Sequence, residues 1–355
     1  MTSNRAAIAL NPKRWGKHWG LRRLADEQGF FSMVAIDQRP PIVNLVAKAR
    51  GIDAAHVSFE DIVRCKALLA QGLAPHASAM LVDPNYGLPA ASPWLQPARG
   101  LLLTLEDHRF DDHPEGRLSH LIKDWSVAQI RRTGADAVKL LAWYRPDASA
   151  AVLAHQQALV RKVGQACLAH DIAFVFELLV HPFAARAGQA ASYEEDAGKQ
   201  AQLVIQSVRT FADPSYGVDL FKLESPLPMA SMPAPGSEGA DAAQDAFDQM
   251  AAACAGVPWV LLSAGGSASS FRHALHYACK AGASGFLAGR AVWWDALKAF
   301  PDEEAVLQAL QHDSVPYLET LRERVRSTGR ALQTRVDFAQ ITAEGEVCEQ
   351  RAPSE

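Results

Sequence analysis

Eight short apolar runs recur along the 355-residue chain, and they constrain its fold more than any other feature. Each run has the residue chemistry of a β-strand. They span residues 32–37, 78–83, 100–106, 137–144, 173–180, 220–225, 259–265 and 285–290. The runs are almost continuously hydrophobic rather than strictly alternating, which is typical of parallel strands covered on both faces.

Amphipathic helical stretches lie between most of these runs. The clearest ones span residues 59–76, 150–170, 199–212 and 269–282. Eight strands alternating with helices are typical of a (β/α)8 barrel or of a large doubly wound sheet. No G-x-G-x-x-G follows the first strand, which weakens the dinucleotide-binding form of the second alternative. We therefore predict an α/β fold of the TIM-barrel type.

The predicted barrel is a single domain over residues 29–331. It is preceded by an N-terminal extension at 1–28 and followed by a C-terminal tail at 332–355. The interval 226–245 is rich in proline, alanine and serine, and we expect it to form a long mobile loop over the barrel mouth. Residues 303–336 have a helical pattern, and the last dozen or so residues are expected to fray.

Composition excludes several classes of function. The chain is 49% hydrophobic and 21% charged with a net charge of −4, so neither nucleic acid nor a membrane surface is an expected partner. The N-terminus has no apolar signal region, and no apolar run is long enough to span a bilayer. The five cysteines are widely spaced without a C-x-x-C pair, which favours a reducing compartment. We predict a cytoplasmic protein, for which a homo-oligomer is compatible with the barrel fold.

Two lysines lie inside predicted strands and are flanked by apolar residues. They are Lys139 in AVKLLAWY and Lys222 in LFKLESP, while Glu177 lies among apolar residues in AFVFELLV. A buried lysine pairs with a carboxylate or has a lowered pKa, and a neutral buried amine is the nucleophile of Schiff-base chemistry. A Lys–Glu–Lys cluster across strands four to six would satisfy all three groups. A purely structural ion pair inside the barrel is the alternative interpretation.

Glycine-rich turns close the seventh and eighth runs. SAGGSASS contains Ser263, Gly265 and Gly266, and AGR contains Gly289 and Arg290. Backbone N–H groups and helix N-termini at such turns suit an anion, and loops after strands seven and eight often form the phosphate site of this barrel. Arg290 could add a charge-assisted contact. The alternative interpretation is a pair of ordinary turns.

The first run ends in Asp37, Gln38 and Arg39, an acid, an amide and a guanidinium in succession. This set suits sugar hydroxyls or a second anionic end of a substrate, although a solvated loop start is equally compatible. His181 follows the fifth run, but no second histidine stands at metal-ligand spacing. We predict no metal site.

The chain resembles the class I tagatose-1,6-bisphosphate aldolases and the related sulfofructosephosphate aldolases, which are Schiff-base enzymes on the TIM barrel. The resemblance runs from about Phe30 to Asp295. It is carried by VAIDQR, LVDPNYGLPA, GLLLTLE, GADAVKLLAWY, FVFELLV, YGVDLFKLESP, PWVLLSAGGS and GASGFLAGRAVW. Two features depart from the tagatose branch, namely Asn85 where an acid is expected and the Pro40–Pro41 pair after DQR.

The resemblance implies roles for individual residues. Lys222 matches the Schiff-base lysine, and Lys139 and Glu177 match its partners in proton transfer and in lowering the pKa of the nucleophile. Glu106 matches a further active-site carboxylate, and Asp37 completes the predicted catalytic set. The implied substrate and phosphate contacts are Asp37, Gln38, Arg39, Ser263, Gly265, Gly289 and Arg290, with Gly266 in the same turn.

The resemblance also implies an activity. We expect a class I aldolase that reversibly cleaves a ketose bisphosphate such as tagatose 1,6-bisphosphate to dihydroxyacetone phosphate and glyceraldehyde 3-phosphate, with no cofactor beyond the lysine imine. One alternative substrate is 6-deoxy-6-sulfofructose 1-phosphate, which would give dihydroxyacetone phosphate and sulfolactaldehyde. A non-enzymatic alternative is a catalytically silent sugar-phosphate sensor on the same fold.

Overall fold

The computed structural model of the protein describes residues 7–9, 15–190 and 195–335. Parallel strands close into an eight-stranded barrel in which neighbours follow chain order and the last strand pairs with the first. The strands are β1 (Phe31–Ala35), β2 (Ala79–Val82), β3 (Gly100–Thr104), β4 (Ala137–Trp143), β5 (Ala173–Leu179), β6 (Leu220–Leu223), β7 (Trp259–Leu261) and β8 (Gly285–Ala288). Each lies within or overlaps one predicted run. The TIM-barrel prediction is therefore confirmed, and the doubly wound alternative is wrong because the sheet is closed.

Helices cover the outside of the barrel. They are Pro40–Arg50 and Phe59–Leu73 after β1, Gly87–Ala91 after β2, Val127–Arg132 after β3, Ala150–Ala169 after β4, Ala201–Phe211 after β5, Ala240–Ala253 after β6, Ala268–Lys280 after β7 and Arg290–Leu297 after β8. The four predicted helical stretches are confirmed. Pro40 and Pro41 occupy the first turn of a helix, where proline is well tolerated because its missing N–H has no partner there.

Burial on both faces explains why the strands read as continuous apolar runs. All seven residues of β5 are buried. Phe174 and Phe176 belong to the main core between strands and helices, whereas Val175 belongs to a separate apolar cluster inside the barrel. The polar residues of the strands therefore stand out as exceptions that need partners.

A helix at Trp15–Leu24, within the predicted extension 1–28, closes the amino-terminal end of the barrel. Leu21 and Leu24 join the apolar cluster inside the barrel. A Cβ added to Gly20 would overlap the carbonyl oxygen of Asp136, so a residue without a side chain allows this close approach. The barrel is thus sealed by apolar packing at one end.

A small antiparallel sheet, which the sequence pattern did not predict, lies next to the other end. Its strands are Glu106–His113, Gly116–Leu121 and Gly188–Ala190. The first begins directly after β3, so the run predicted over 100–106 is divided between two sheets. Phe110 from this sheet packs on Trp143 with ring centroids 5.0 Å apart.

The C-terminal region is helical over Glu303–Ala309, over a π-helical turn at Leu310–Ser314 and over Val315–Thr328. The helical prediction is wrong for Gln333–Arg335, which pairs as a parallel strand with Ala7–Ala9. Residues 336–355, most of the predicted tail, lie outside the described residues. None of the helices in the described ranges is both long and apolar enough to cross a membrane.

The interval predicted as a loop at 226–245 contains a short 3-10 helix at Met229–Ser231, and helix Ala240–Ala253 begins inside it. The loop after β6 therefore ends earlier than predicted. Its mobility stays a prediction.

Candidate active site

Strand register brings the two strand lysines together. Lys222 on β6 lies level with Glu177 on β5, and Lys139 on β4 lies level with Thr104 on β3. All four residues line one cavity at the carboxyl end of the barrel. This is the end at which TIM barrels place their active sites.

One carboxylate oxygen joins the two lysines. Oε2 of Glu177 lies 2.7 Å from Nζ of Lys139 and 2.8 Å from Nζ of Lys222. The exposed fractions of these side chains are 2% for Lys139, 5% for Lys222 and 8% for Glu177. The Lys–Glu–Lys arrangement across strands four to six, predicted from the burial argument, is present in the structure.

Lys139 has two further carboxylate partners. Its Nζ lies 3.1 Å from Oδ2 of Asp37 and also contacts Oε1 of Glu106. Burial alone would lower the pKa of Lys139, but the charges of Glu106, Glu177 and Asp37 raise it well above its ordinary value. Lys139 is therefore held as an ammonium ion.

The carboxyl groups around Lys139 have very different proton affinities. Burial would raise the pKa of Asp37, but the positive charges of Lys139 and Lys222 hold it well below its usual range. Burial raises the pKa of Glu106 to about 7, against the opposing effect of Lys139. Oε2 of Glu106 accepts a hydrogen bond of 3.0 Å from the Leu141 N–H, which fixes its orientation. We call Asp37, Glu106, Lys139, Glu177 and Lys222 the inner cluster.

The loops after β7 and β8 meet at one side of the cavity. Ala264 and Gly265 have positive φ angles of 48° and 80°, so the chain turns sharply after Ser263. A Cβ added to Gly265 would lie 2.8 Å from Nη2 of Arg290, which places the guanidinium directly against this turn. Ser263, Gly265 and Arg290 line the cavity, as expected for an anion site.

The other two predicted glycines, Gly266 and Gly289, lie next to Ser263, Gly265 and Arg290 but do not line the cavity. A Cβ added to Gly289 would lie 2.7 Å from Nε2 of Gln38, which packs the β8 loop on the β1 loop. Gly266 is not among the residues that line the cavity, but it follows Gly265 in the same turn, where its N–H donates to the Ser263 carbonyl over 2.8 Å. The predicted binding residues are thus brought together by three loops.

The loop after β1 brings a second guanidinium to the cavity, that of Arg39. Nη1 of Arg39 lies 3.0 Å from Nδ1 of His108, and its Nε lies 3.6 Å from Oδ2 of Asp83. Burial and the charge of Arg39 lower the pKa of His108. Arg290 and Arg39 therefore offer positive charge at two places in one cavity.

Sequence reasoning missed several residues of this site. His108, Phe110 and Trp143 line the cavity, and the first two come from the unpredicted antiparallel sheet. The turn sequence His-Pro-Glu-Gly at 113–116 could have indicated this hairpin.

Lys66, a buried lysine next to the Asp37–Arg39 segment, was also missed. Lys66 donates a 2.7 Å hydrogen bond to the Ile36 carbonyl and forms a fully buried ion pair with Asp83. It shares a helix face with Ile62 and Leu69, and a charge on an apolar face was the available signal. The pair anchors the start of the Asp37–Arg39 segment.

Glu224 and His181 lie near the cavity but do not line it. Alternation places Glu224 on the face of Lys222, but β6 ends at Leu223 and Glu224 turns away from the cavity. His181 is buried, with Nδ1 2.9 Å from the Pro182 carbonyl, and burial lowers its pKa to about 4. Among the residues that the structure describes, no three His, Cys, Asp or Glu side chains form a group that could hold a metal ion.

Comparisons with known proteins agree with this geometry. A family model described as DeoC/LacD family aldolase matches residues 31–295. Tagatose 1,6-diphosphate aldolase 1 of Enterococcus faecalis is 35% identical over 315 residues, covering 87% of this chain and 94% of the relative. Tagatose 1,6-diphosphate aldolase 1 of Streptococcus mutans is 32% identical over 323 residues, covering 89% and 97%.

A solved Schiff-base-forming fructose-1,6-bisphosphate aldolase has a TM-score of 0.54 at 16% identity, covering 86% of this chain and 98% of its own, and so shares the fold. The predicted family and the predicted aldolase class of enzyme are both confirmed. The chain belongs to the DeoC/LacD family of aldolases.

Proposed function

We propose that the protein is a class I aldolase that reversibly cleaves a ketose bisphosphate, such as tagatose 1,6-bisphosphate, to dihydroxyacetone phosphate and glyceraldehyde 3-phosphate. The observation that carries this proposal is the single Glu177 oxygen between Lys139 and Lys222, 2.7 and 2.8 Å from their Nζ atoms, in a cavity that Arg290 also lines. The names of the curated relatives support the choice of substrate. We expect a cytoplasmic enzyme with a small phosphorylated ketose as its partner, and a homo-oligomer stays a prediction.

The surroundings of the two lysines distinguish their roles. Lys139 is held in its charged form by three carboxylates, so it cannot supply the lone pair of a nucleophile. Lys222 is assigned as the nucleophile. Glu177, 2.8 Å from its Nζ, accepts the proton that the amine must lose before it attacks.

The reaction then proceeds through a lysine imine. The Lys222 amine adds to the C2 ketone, and loss of water from the carbinolamine leaves a protonated imine that serves as the electron sink. A base removes the proton of the C4 hydroxyl, the C3–C4 bond breaks, and its electrons form the enamine as the aldehyde leaves. Protonation of the enamine at C3 and hydrolysis of the imine release dihydroxyacetone phosphate and regenerate Lys222.

The carboxyl groups can divide the proton transfers between them. Glu177 lies beside the nucleophile and is the candidate for the C4 hydroxyl proton. Glu106, whose pKa is about 7, can give or take a proton near neutral pH, whereas Asp37 stays ionised and accepts hydrogen bonds. Lys139 stabilises negative charge that develops on substrate oxygens.

Binding energy at the two ends of the substrate positions the ketone. The turn at residues 263–267, called the 263–267 turn below, and Arg290 hold the phosphate next to the reacting carbonyl, and Arg39 with His108 faces the anion at the far end. Fixed ends lower the entropic cost of bringing C2 to the amine. The intact inner cluster argues against a catalytically silent sensor.

Borohydride trapping with dihydroxyacetone phosphate, followed by peptide mass mapping, tests this proposal. We expect one reduced adduct on Lys222. An adduct on Lys139 would reverse the roles of the two lysines, and the absence of any adduct would contradict Schiff-base chemistry. The aldehyde partner is then identified in the condensation direction by comparing glyceraldehyde 3-phosphate with sulfolactaldehyde.

A further inference from the structure

A second buried ionic cluster lies behind the wall of the cavity. Nζ of Lys199 lies 2.6 Å from Oε1 of Glu195 and 2.7 Å from Oε2 of Glu224. The exposed fractions of the Lys199 and Glu224 side chains are 0% and 1%. We call Glu195, Lys199 and Glu224 the outer cluster. None of its members lines the cavity or takes part in the steps proposed above.

The outer cluster is fastened to backbone at two places. Oε1 of Glu224 accepts a 2.6 Å hydrogen bond from the Val180 N–H at the end of β5. Oε2 of Glu195 accepts a 2.8 Å hydrogen bond from the Met229 N–H in the loop after β6. Charge-assisted hydrogen bonds of this kind are stronger than neutral ones, so the cluster fixes the loop after β6 to the neighbouring strand.

Met229 connects the outer cluster to the turn after β7, where the phosphate is proposed to bind. Its side chain is 1% exposed and packs on Gly266, so closely that a Cβ on Gly266 would overlap Cγ of Met229. Gly266 follows Gly265, against which the Arg290 guanidinium lies. A packed path therefore runs from Glu224, two residues after Lys222, through Lys199, Glu195 and Met229 to the 263–267 turn.

We propose that Glu195 and Met229 are positioning residues that hold the 263–267 turn in its phosphate-binding geometry, and that they thereby select phosphorylated over unphosphorylated carbonyl substrates. This inference rests on the proposed function. The physical reason is that an anion bound by backbone N–H groups and a guanidinium loses affinity when the donors shift by a fraction of an ångström. Lys222 itself is attached to β6 and does not depend on the position of Met229.

The experiment compares two ketones that differ only in the phosphate. The rate of borohydride-trapped adduct formation is measured at subsaturating dihydroxyacetone phosphate and at dihydroxyacetone, in wild type, Glu195→Gln and Met229→Ala. Glu195→Gln leaves Lys199 paired with Glu224, so a buried charge keeps its partner. Glu238→Gln, which neutralises an exposed carboxylate in the same loop, is the matched control.

We expect both variants to trap dihydroxyacetone phosphate roughly 10-fold more slowly, because a charge-assisted contact or its packing has been removed. The trapping rate of dihydroxyacetone should stay within about twofold of wild type. The inhibition constant of inorganic phosphate against dihydroxyacetone phosphate trapping should rise by about the same factor as the trapping rate of dihydroxyacetone phosphate falls. Glu238→Gln should leave all three quantities unchanged. An equal loss for both ketones would overturn the inference, since it would show a general structural role.

Gly266→Ala provides an independent measurement on the same path. The added methyl group must displace Met229 or the turn, so it should weaken phosphate inhibition, and Met229→Ala in the same chain should restore part of it by making room. Strictly additive effects of the two changes would contradict a packed path through this contact. Failure of the wild-type protein to trap either ketone would refute the proposed function instead, so the two failures are distinguishable.

Discussion

The inner and outer clusters are both built from lysines and carboxylates, but the partners of their carboxylate oxygens differ. In the outer cluster, Glu195 and Glu224 each bind Lys199 with one oxygen and a backbone N–H with the other. In the inner cluster, Lys222 shares one oxygen of Glu177 with Lys139, and all three side chains line a cavity. In the first arrangement every carboxylate oxygen has a partner, whereas in the second an amine faces the cavity, as the proposed nucleophile must.

This difference predicts that the outer cluster matters more for folding stability and the inner cluster more for catalysis. A sealed ion pair that loses one partner leaves an uncompensated buried charge, which costs several kcal/mol of folding free energy. A lysine that shares its carboxylate with another lysine can be removed while the carboxylate keeps a partner. Buried charge by itself therefore does not identify an active site, and the geometry of the partners does.

Lys222→Met should have the largest effect on turnover. Removal of the nucleophile should lower kcat by roughly a thousandfold or more and abolish borohydride trapping, because no imine can form. Binding of inorganic phosphate should persist, since the 263–267 turn and Arg290 are unchanged. Lys162→Met, at an exposed lysine, is the control, and substantial residual turnover in Lys222→Met would assign the nucleophile elsewhere.

Lys199→Met should have the largest effect on stability. It leaves the fully buried Glu224 and the half-buried Glu195 without a cation, so we expect the free energy of unfolding to fall by roughly 3–5 kcal/mol in urea denaturation. Lys222→Met should cost clearly less, because Glu177 keeps Lys139 as a partner. A larger loss of stability in Lys222→Met than in Lys199→Met would contradict the comparison of the two clusters.

Arg290→Met should raise KM for the ketose phosphate by roughly 10- to 100-fold with a smaller change in kcat, because a charged contact to phosphate is lost. Arg290→Lys keeps the charge but loses the planar guanidinium, so it should recover part of the affinity. Steady-state kinetics with and without inorganic phosphate measure both effects. A loss in kcat alone would place Arg290 in the chemical steps.

Glu106→Gln should change how stability depends on pH. The pKa of Glu106 is raised from an ordinary 4.5 to about 7, so between these values the folded state binds more protons than the unfolded state. Stability from this group therefore falls as pH rises from about 4.5 to about 7, by roughly 1–3 kcal/mol. Glutamine cannot titrate, so the variant should show a flatter profile there, whereas Glu323→Gln at an exposed site should match wild type. A profile identical to wild type would refute the raised pKa.

Chelation should have the smallest effect. Because the proposed imine supplies the electron sink, activity should be unchanged after dialysis against EDTA. Aldol turnover assayed before and after the treatment measures this directly. Loss of activity on chelation, restored by a divalent cation, would contradict the Schiff-base mechanism.

Much of the fold and site was predictable because strand periodicity and buried charge are local signals. Lys139, Glu177 and Lys222 stood out as ionisable residues within apolar runs, and the strand order implied that their strands are neighbours. The hairpin that carries His108 and Phe110 was not predicted, because its strands are polar on one side and begin without a break after β3. Alternation within LFKLES would place Glu224 on the face of Lys222, but alternation holds only while the strand continues, and β6 ends at Leu223.

The sequence by itself predicted eight strands alternating with helices, the family and a cluster of Lys139, Glu177 and Lys222, since strand runs, motifs and buried charges are local signals. Closure of the sheet into a barrel was settled by the structure. Only the tertiary structure decided which lysine is held as a cation. That choice depends on Asp37 and Glu106, which reach Lys139 from other strands and loops. It also decided that Glu195 and Met229 connect two loops, because a hydrogen bond between distant residues forms only where packing brings donor and acceptor to about 3 Å.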